Sequence, residues 1–160
     1  MAIQVGDKVP AVNLRVLGPE GPKEVTSDEL FAGKKVAFFA VPGAFTPTCS
    51  QRHLPGYVEK AAALKAKGVD TIACISVNDA FVMGAWGKEH NAAGKVTMLG
   101  DGSCELTEAL GLTVDRIAAG MGIRSQRYSM VVKDGVVSEL NVEPPGEYGV
   151  SSAEAMLERR

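Results

Sequence analysis

Disulfide chemistry has little support in this sequence, because its 160 residues contain three cysteines at wide spacing. Cys49, Cys74 and Cys104 are too few and too far apart for a disulfide scaffold. The CxxC pair of a thioredoxin-type oxidoreductase is also missing, because the residues SQR follow Cys49 directly. These absences indicate a reducing compartment, with one or more thiols available for other chemistry.

The sequence also has no large excess of charge of either sign and no long apolar run. The formal net charge of -2 gives no electrostatic attraction for nucleic acid or an anionic membrane. The longest apolar run, 36–41, is far shorter than the roughly 20 residues that a membrane helix needs. The N-terminal residues MAIQVGDKVPAV show no basic stretch followed by an apolar one, so we expect no signal peptide. We therefore expect a cytoplasmic protein without nucleic-acid or membrane partners.

The remaining composition is that of an ordinary globular protein. Apolar residues make up 46% of the chain and charged residues 22%. A chain of 160 residues fits one domain and is long enough to bury a core. We find no internal repeat or linker, so we expect a single domain over 1–160.

The pattern of apolar runs and turn residues predicts alternating strands and helices. Strands are predicted over 12–17, 35–41, 71–77, 96–99, 128–133 and 136–142, the last two joined by the Asp134-Gly135 hairpin signal. Helices are predicted over 27–31, about 48–66, 79–90, near 103–110 and from 151 or 152 to 159, with Ser27 and Asn78 as caps. GPEGP at 18–22 is a turn cluster. This order predicts an α/β fold with a mixed central sheet flanked by helices.

The segment PGAFTPTCS at 42–50 is the main candidate for chemistry. A buried strand ends, a Pro/Gly loop turns, and a helix begins around Cys49. The free N–H groups and the positive end of the helix dipole favour a thiolate there, and the thiolate is the nucleophilic form. Thr46 adds a hydroxyl that can donate and accept. The pattern alone leaves two interpretations open: an activated nucleophile or a buried structural thiol.

Together with HLPG at 53–56, this segment resembles the active-site segment of the type II, or peroxiredoxin 5-like, subfamily of peroxiredoxins. The similarity continues through CISVNDAFVM at 74–83, LGDG at 99–102 and RSQRYSMVV at 124–132, so it covers most of the chain. The resemblance implies a thioredoxin-like fold with an N-terminal extension. It also implies a thiol-dependent peroxidase that reduces hydrogen peroxide and small organic hydroperoxides without a cofactor or metal.

The resemblance implies a catalytic set of three residues: Cys49 as the peroxidatic nucleophile, with Thr46 and Arg127. A guanidinium can stabilise the thiolate and the negative charge that develops on the leaving oxygen, while the threonine hydroxyl positions the peroxide. Supporting residues would be Pro42, which shields the thiolate, Gly43 and Arg124. For Arg124, a surface or interface salt bridge is an equally acceptable interpretation.

The other cysteines bear on how the oxidised enzyme is reduced. Cys74 lies in the apolar run TIACISV and is either a packed core thiol or a resolving cysteine, since plant-type members carry a cysteine at this spacing. A bridge to Cys49 would require Cα atoms within about 7 Å. Cys104 has no counterpart in the family pattern. The late segment 144–152 lacks the resolving cysteine of animal-type members. We therefore expect an external thiol, from glutathione, glutaredoxin or thioredoxin, to reduce the sulfenic acid.

His53 follows Cys49 by four residues and shares its helix face. A Cys–His dyad or a metal pair is conceivable, but no third or fourth metal ligand is evident. Local packing or hydrogen bonding is the interpretation we favour for His53. His90, at a predicted helix C-terminus, is interpreted as a partner of the helix dipole.

Apolar residues near the presumed site allow two interpretations. They are Phe45, Phe81, Met83 and Trp86. Core packing is the first interpretation. The second follows from the resemblance, because the subfamily dimerises through loops around the active site, and it implies a homodimer. Two other functions compete with the peroxidase: a thioredoxin-type disulfide oxidoreductase and a non-catalytic binding module on the same scaffold.

Overall fold

The computed structural model describes residues 2–160. Within that range the strands are β1 Asn13–Gly18, β2 Gly21–Thr26, β3 Lys35–Ala40, β4 Thr71–Ser76, β5 Thr97–Gly100, β6 Thr113–Arg116, β7 Gly122–Ser125, β8 Tyr128–Lys133 and β9 Val136–Val142. The helices are α1 Ser27–Phe31, α2 Leu54–Ala66, α3 Ala80–Glu89, α4 Glu105–Leu110 and α5 Ala153–Glu158. A π-helical turn, Cys49–His53, precedes α2, and a 3₁₀ turn covers Ile117–Ala119. No helix of residues 2–160 is long and apolar enough to cross a membrane.

Seven strands form one mixed sheet in the order β2-β1-β5-β4-β3-β8-β9. The inner strands β3, β4 and β5 are parallel, whereas β8 and β9 continue the sheet in antiparallel register. β6 and β7 form a separate two-stranded hairpin. The predicted α/β fold with a mixed central sheet flanked by helices is confirmed, as is the hairpin at Asp134-Gly135.

The two faces of the sheet build two apolar clusters. Successive side chains of a strand point to opposite faces, so Phe38 of β3 packs into one cluster and Phe39 into the other. The second cluster is covered by α2, α3 and α5, and it contains both Cys49 and Cys74. Because β3 and β4 are apolar on both faces, they can lie in the middle of the sheet. The candidate nucleophile therefore packs within the second of these buried clusters.

Two predicted helix caps are wrong by one residue. Thr26, not Ser27, caps α1, because its hydroxyl accepts the amide three residues ahead at 3.1 Å. Asp79, not Asn78, caps α3 in the same way at 2.8 Å. The carboxylate of Asp79 occupies the capping position, while the amide of Asn78 bonds to the active-site loop. Ser152, one of the two predicted caps, begins α5.

The sequence pattern missed three strands and the two irregular turns. β2 overlaps the turn cluster predicted at 18–22, and its Pro22 is tolerated because β2 lies at the edge of the sheet. β6 and β7 are short and partly polar, so they carry no clear alternation. The helix predicted from about 48 is helical from Pro47, but it passes through the unpredicted π turn Cys49–His53, in which the amide of Leu54 bonds to the carbonyl of Cys49. Pro55, which follows, has no N–H to donate to the carbonyl four residues before it.

Candidate active site

Cys49 lies where the chain leaves the centre of the sheet. β3 ends at Ala40, and one further bond, from the amide of Val41 to the carbonyl of Ile75 at 3.1 Å, extends its pairing with β4. The loop 42–46 leads into two helical residues, Pro47 and Thr48, and then into the π turn, of which Cys49 is the first residue. Its side chain is fully buried. π turns are uncommon in proteins and occur often at functional sites.

Arg127 reaches Cys49 from the neighbouring strand. Tyr128 of β8 pairs with Ala40 of β3, so the residue before β8 stands beside the end of β3. Its Nη2 donates to the Sγ of Cys49 at 3.1 Å. This contact sets a fixed positive charge and a hydrogen-bond donor against the sulfur. The structure thus brings Cys49 and Arg127 together across 78 residues of sequence.

The hydroxyl of Thr46 donates its one proton to the carbonyl of Gly43 at 2.6 Å. With that proton engaged, the lone pairs of Oγ1 remain free to accept. In hydrogen peroxide and in an organic hydroperoxide alike, the oxygen that a thiolate attacks carries an O–H group, which is a hydrogen-bond donor. The arrangement therefore suits Thr46 to accept a hydrogen bond from a bound peroxide.

Gly43 of the active-site loop packs against Arg124 of β7. A Cβ on Gly43 would lie 3.0 Å from the Nη1 of Arg124 and 3.1 Å from the Cγ2 of Thr46. Arg124 donates to the carbonyls of Met121 at 2.8 Å and Pro42 at 3.4 Å. Among residues 2–160 it forms no salt bridge, and its hydrogen bonds go to backbone. Arg124 thus braces the loop rather than the sulfur.

A cavity of about 570 Å³ opens next to these residues. Three of the predicted site residues, Pro42, Thr46 and Arg127, line it, and Cys49 is hydrogen-bonded to the last of them. The rest of the wall is largely apolar with a few polar groups: Pro47, Thr48, Val114, Arg116, Met121, Ser125, Gln126, Glu143, Pro144, Pro145, Gly146 and Glu147. The cavity is much larger than hydrogen peroxide, so a longer molecule could occupy its outer part.

Cys74 lies behind the nucleophile, in the middle of β4. It pairs with Phe39 of β3 and is fully buried. Burial raises the pKa of its thiol, and the nearby sulfur of Cys49 raises that pKa further. A thiol of this kind is a poor nucleophile. Cys104 stands at the start of α4, where burial and the charges of Asp101 and Glu108 raise its pKa.

His53 is part of the site rather than a packing residue alone. The ring is fully buried, and its Nδ1 lies 2.8 Å from the Nη1 of Arg127. Its Nε2 lies 3.0 Å from the carbonyl oxygen of Ser151. Burial, followed by the charge of Arg127, lowers the pKa of His53 to about 3. Hydrogen bonding was expected for His53, but its partner Arg127 was not, because the two are 74 residues apart.

The apolar residues named from the sequence divide into two groups. Met83 and Trp86 are fully buried, and the indole N–H of Trp86 donates to the hydroxyl of Ser50 at 2.9 Å. Phe45 and Phe81 are exposed by 50% and 60%. Phe45 also has a φ of 64°, a strained value for a bulky residue next to a functional loop. Core packing therefore accounts for two of the four.

Comparison with known proteins gives consistent matches over almost the whole chain. The Redoxin family model matches residues 4–157. "Peroxiredoxin-2E-2, chloroplastic" from Oryza sativa subsp. japonica is 56% identical, over 97% of this chain and 71% of its own length.

Solved structures agree. Reduced Prx3 from Vibrio vulnificus in complex with H₂O₂ is 54% identical, with a TM-score of 0.94 over 98% of each chain. Peroxiredoxin 5 from Alvinella pompejana is 36% identical, with a TM-score of 0.87 over 99% of each chain.

These matches extend beyond the PGAFTPTCS segment to the strands and helices that support it. A family match of this length, together with relatives above half identity, favours the peroxidase over the two competing functions. The chain belongs to the Redoxin family and is a peroxiredoxin of the type II, peroxiredoxin 5-like subfamily, a thiol-dependent peroxidase.

Proposed function

We propose that Cys49 is the peroxidatic nucleophile of this enzyme and that Thr46 and Arg127 act on the peroxide with it. The contact of 3.1 Å between the Nη2 of Arg127 and the Sγ of Cys49 carries this proposal, because it pairs a buried sulfur with a fixed cation. Pro42 and Gly43 hold the loop that shields the sulfur, and Arg124 braces that loop. The chain acts as a single domain over 1–160.

The reaction begins with attack of the Cys49 thiolate on one peroxide oxygen. An S–O bond forms, the O–O bond breaks, and the sulfur is oxidised to the sulfenate, which takes up a proton as sulfenic acid. The other oxygen leaves with the electron pair and a proton, as water from hydrogen peroxide or as an alcohol from an organic hydroperoxide. Arg127 stabilises the charge on both sulfur and leaving oxygen, and Thr46 accepts from the peroxide O–H.

The first experiment is stopped-flow reduction of hydrogen peroxide by the pre-reduced protein. Cys49→Ser should abolish the reaction, whereas Cys74→Ser and Cys104→Ser are matched controls that should oxidise at the parent rate. Arg127→Gln should slow oxidation by a factor on the order of one hundred, as loss of one charge-stabilising donor does elsewhere. Normal turnover by Cys49→Ser would end the proposal.

Hydrogen peroxide and small organic hydroperoxides are the proposed substrates. The Vibrio vulnificus relative has been crystallised with H₂O₂. The cavity of about 570 Å³ beside Thr46 and Arg127 leaves room for the alkyl group of an organic hydroperoxide. Comparison of kcat/KM for hydrogen peroxide and tert-butyl hydroperoxide tests this range.

An external thiol is the proposed reductant of the Cys49 sulfenic acid. The segment 144–152 contains no cysteine, and Cys74 is buried with a raised pKa. The cavity beside Thr46 and Arg127, about 570 Å³, is large enough in volume for a tripeptide such as glutathione. The thiol would attack the sulfenic acid, release water and leave a mixed disulfide, which glutaredoxin, thioredoxin or a second glutathione would exchange.

Mass spectrometry after one equivalent of peroxide tests this step. Without added thiol, Cys49 should remain as sulfenic or over-oxidised acid. With glutathione, the protein should gain the mass of one glutathione adduct, mapped to Cys49. Quantitative loss of two hydrogens with a Cys49–Cys74 peptide would contradict the proposal and make Cys74 a resolving cysteine.

A homodimer is proposed because two aromatic rings, Phe45 in the active-site loop and Phe81 in the first turn of α3, are at least half exposed. Sedimentation velocity of the parent and of a Phe45→Ser variant tests it, and a parent that stays monomeric at tens of micromolar would contradict it. The three free cysteines fit a reducing compartment, and we propose the cytoplasm, to be checked by fractionation.

A further inference from the structure

The His53 ring lies between the active-site arginine and the segment before α5. Its Nδ1 faces the Nη1 of Arg127 at 2.8 Å, and its Nε2 faces the carbonyl of Ser151 at 3.0 Å. A carbonyl oxygen only accepts, so the ring proton is on Nε2. A guanidinium nitrogen only donates, so Nδ1 carries the lone pair. The ring is therefore neutral, in one tautomer fixed by its two neighbours.

The two terminal nitrogens of Arg127 make different contacts. Nη1 donates to His53, and Nη2 donates to the Sγ of Cys49 at 3.1 Å. Because a guanidinium is planar and rigid, a bond that fixes Nη1 also fixes the direction of Nη2. The ring of Tyr148 lies 6.0 Å from the guanidinium carbon, too far to hold its plane closely.

Further hydrogen bonds fix Ser151, the partner of the His53 Nε2. The hydroxyl of Tyr57 donates to the same Ser151 carbonyl at 2.8 Å. The amide and hydroxyl of Ser151 donate to the buried carboxylate of Glu143 at 2.9 and 2.7 Å. Burial and the charge of Arg127 together hold the pKa of His53 far below neutrality, which keeps Nδ1 available as an acceptor. The ring thus has no second orientation that satisfies these partners.

We propose that His53 is a positioning residue for the peroxidase reaction: its neutral Nδ1 fixes the plane of the Arg127 guanidinium so that Nη2 stays directed at Cys49. The inference rests on the proposed roles of Cys49 and Arg127. It assigns no proton transfer to His53, because a ring that stays neutral throughout the working pH range is an acceptor and not a base here.

Two amide substitutions separate the two contacts of the ring. In His53→Asn, the amide oxygen takes the place of Nδ1 and can still accept from Arg127. In His53→Gln, the amide nitrogen takes the place of Nε2 and can still donate to Ser151. Both remove the same buried ring, so each serves as the packing control for the other.

We expect His53→Gln to lower the second-order rate of Cys49 oxidation by hydrogen peroxide about ten-fold, as loss of an orienting outer partner does elsewhere. The pH midpoint of Cys49 alkylation should move upward in the same variant. His53→Asn should keep both properties within a factor of two or three of the parent.

A double-mutant cycle completes the test. In an Arg127→Gln background, His53→Gln should slow oxidation no further, because the group it positions is gone. Equal losses in both backgrounds, or equal losses for His53→Asn and His53→Gln, would overturn the inference in favour of a packing role. If Arg127→Gln alone oxidises at the parent rate, the proposed function fails first. If Arg127→Gln is slow but His53→Gln oxidises at the parent rate, the positioning role fails and the proposed function stands.

Discussion

Acidification tests the buried, neutral state of His53 through the stability of the protein. The folded state keeps the ring unprotonated down to about pH 3, whereas an unfolded chain binds a proton near the ordinary pKa of 6.5. Below that value the unfolded state binds more protons than the folded state, so falling pH favours unfolding. The contribution of His53 to stability is therefore complete above about pH 6.5 and is lost progressively towards pH 3.

The size of the effect follows from the pKa difference. Each pH unit inside the window costs about 1.4 kcal/mol, because one proton separates the two states. A change from about pH 7.5 to about pH 4.5 crosses roughly two such units, so it should lower the free energy of unfolding by about 2.5 kcal/mol. That is a large part of the roughly 5–15 kcal/mol that a domain of this kind has.

Urea denaturation followed by far-ultraviolet circular dichroism gives the free energy of unfolding at both pH values. The sequence contains two histidines, which supplies a matched control. His53→Asn should lose about 2.5 kcal/mol less than the parent over this interval. His90→Asn alters the partly exposed histidine at the end of α3 and should keep the full pH dependence. Glutamates begin to take up protons near the lower pH value, so His53 is isolated by comparing each variant with the parent over the same interval.

The refuting result is a parent and a His53→Asn variant with the same change in stability between the two pH values. It would mean that His53 titrates alike in the folded and unfolded protein, and thus that the ring is not held neutral. The acceptor role at Arg127 would then have no basis at mildly acidic pH.

Three further predictions concern the loop and its supports. Thr46→Val should slow peroxide reduction about ten-fold by removing an acceptor worth about 1.4 kcal/mol, whereas Thr46→Ser should keep most of the rate; equal rates in stopped flow would contradict this. Gly43→Ala should lower the same rate several-fold, because its Cβ would press on Arg124 Nη1 at 3.0 Å, with thermal unfolding as the control for stability. Glu143→Gln should lower the free energy of unfolding by about 1–3 kcal/mol in urea at neutral pH, because it weakens the hydrogen bonds that Ser151 donates to the carboxylate. Burial raises the pKa of Glu143, but these bonds and the one from the amide of residue 149 lower that pKa by more. The stability that Glu143 contributes is therefore lost as pH falls below about 4.5.

Much of the fold was predictable because its signals are local. The apolar runs of β3 and β4 and the Asp134-Gly135 turn need no distant partner to be recognised. The cap of α3 was misplaced because Asn78 and Asp79 are both good caps, and the choice depends on a tertiary contact: Asn78 Oδ1 accepts the amide of Ala44 at 3.0 Å. Such a contact leaves no trace in local pattern.

In the candidate site, too, local signals were predictable and tertiary contacts were not. A strand, a Pro/Gly loop and a helix start were enough to single out Cys49, and the family resemblance pointed to Thr46 and Arg127. The bond between His53 and Arg127 was not predictable, because it joins residues that only the β3–β8 register brings together. The π turn that begins at Cys49 was missed for another reason: π turns are rare, and this one differs from an α turn by a hydrogen bond one residue longer.

The hydrogen bond between Trp86 and Ser50 makes tryptophan fluorescence an intrinsic reporter of the active-site turn. Trp86 is the one tryptophan in the chain, and its indole N–H binds the residue next to Cys49 in the π turn. Any rearrangement of that turn changes the polarity around the indole, and with it the wavelength and intensity of the emission. Oxidation of Cys49 and its reduction by a thiol are therefore each expected to register as a change in intrinsic fluorescence, in a single turnover and without any dye.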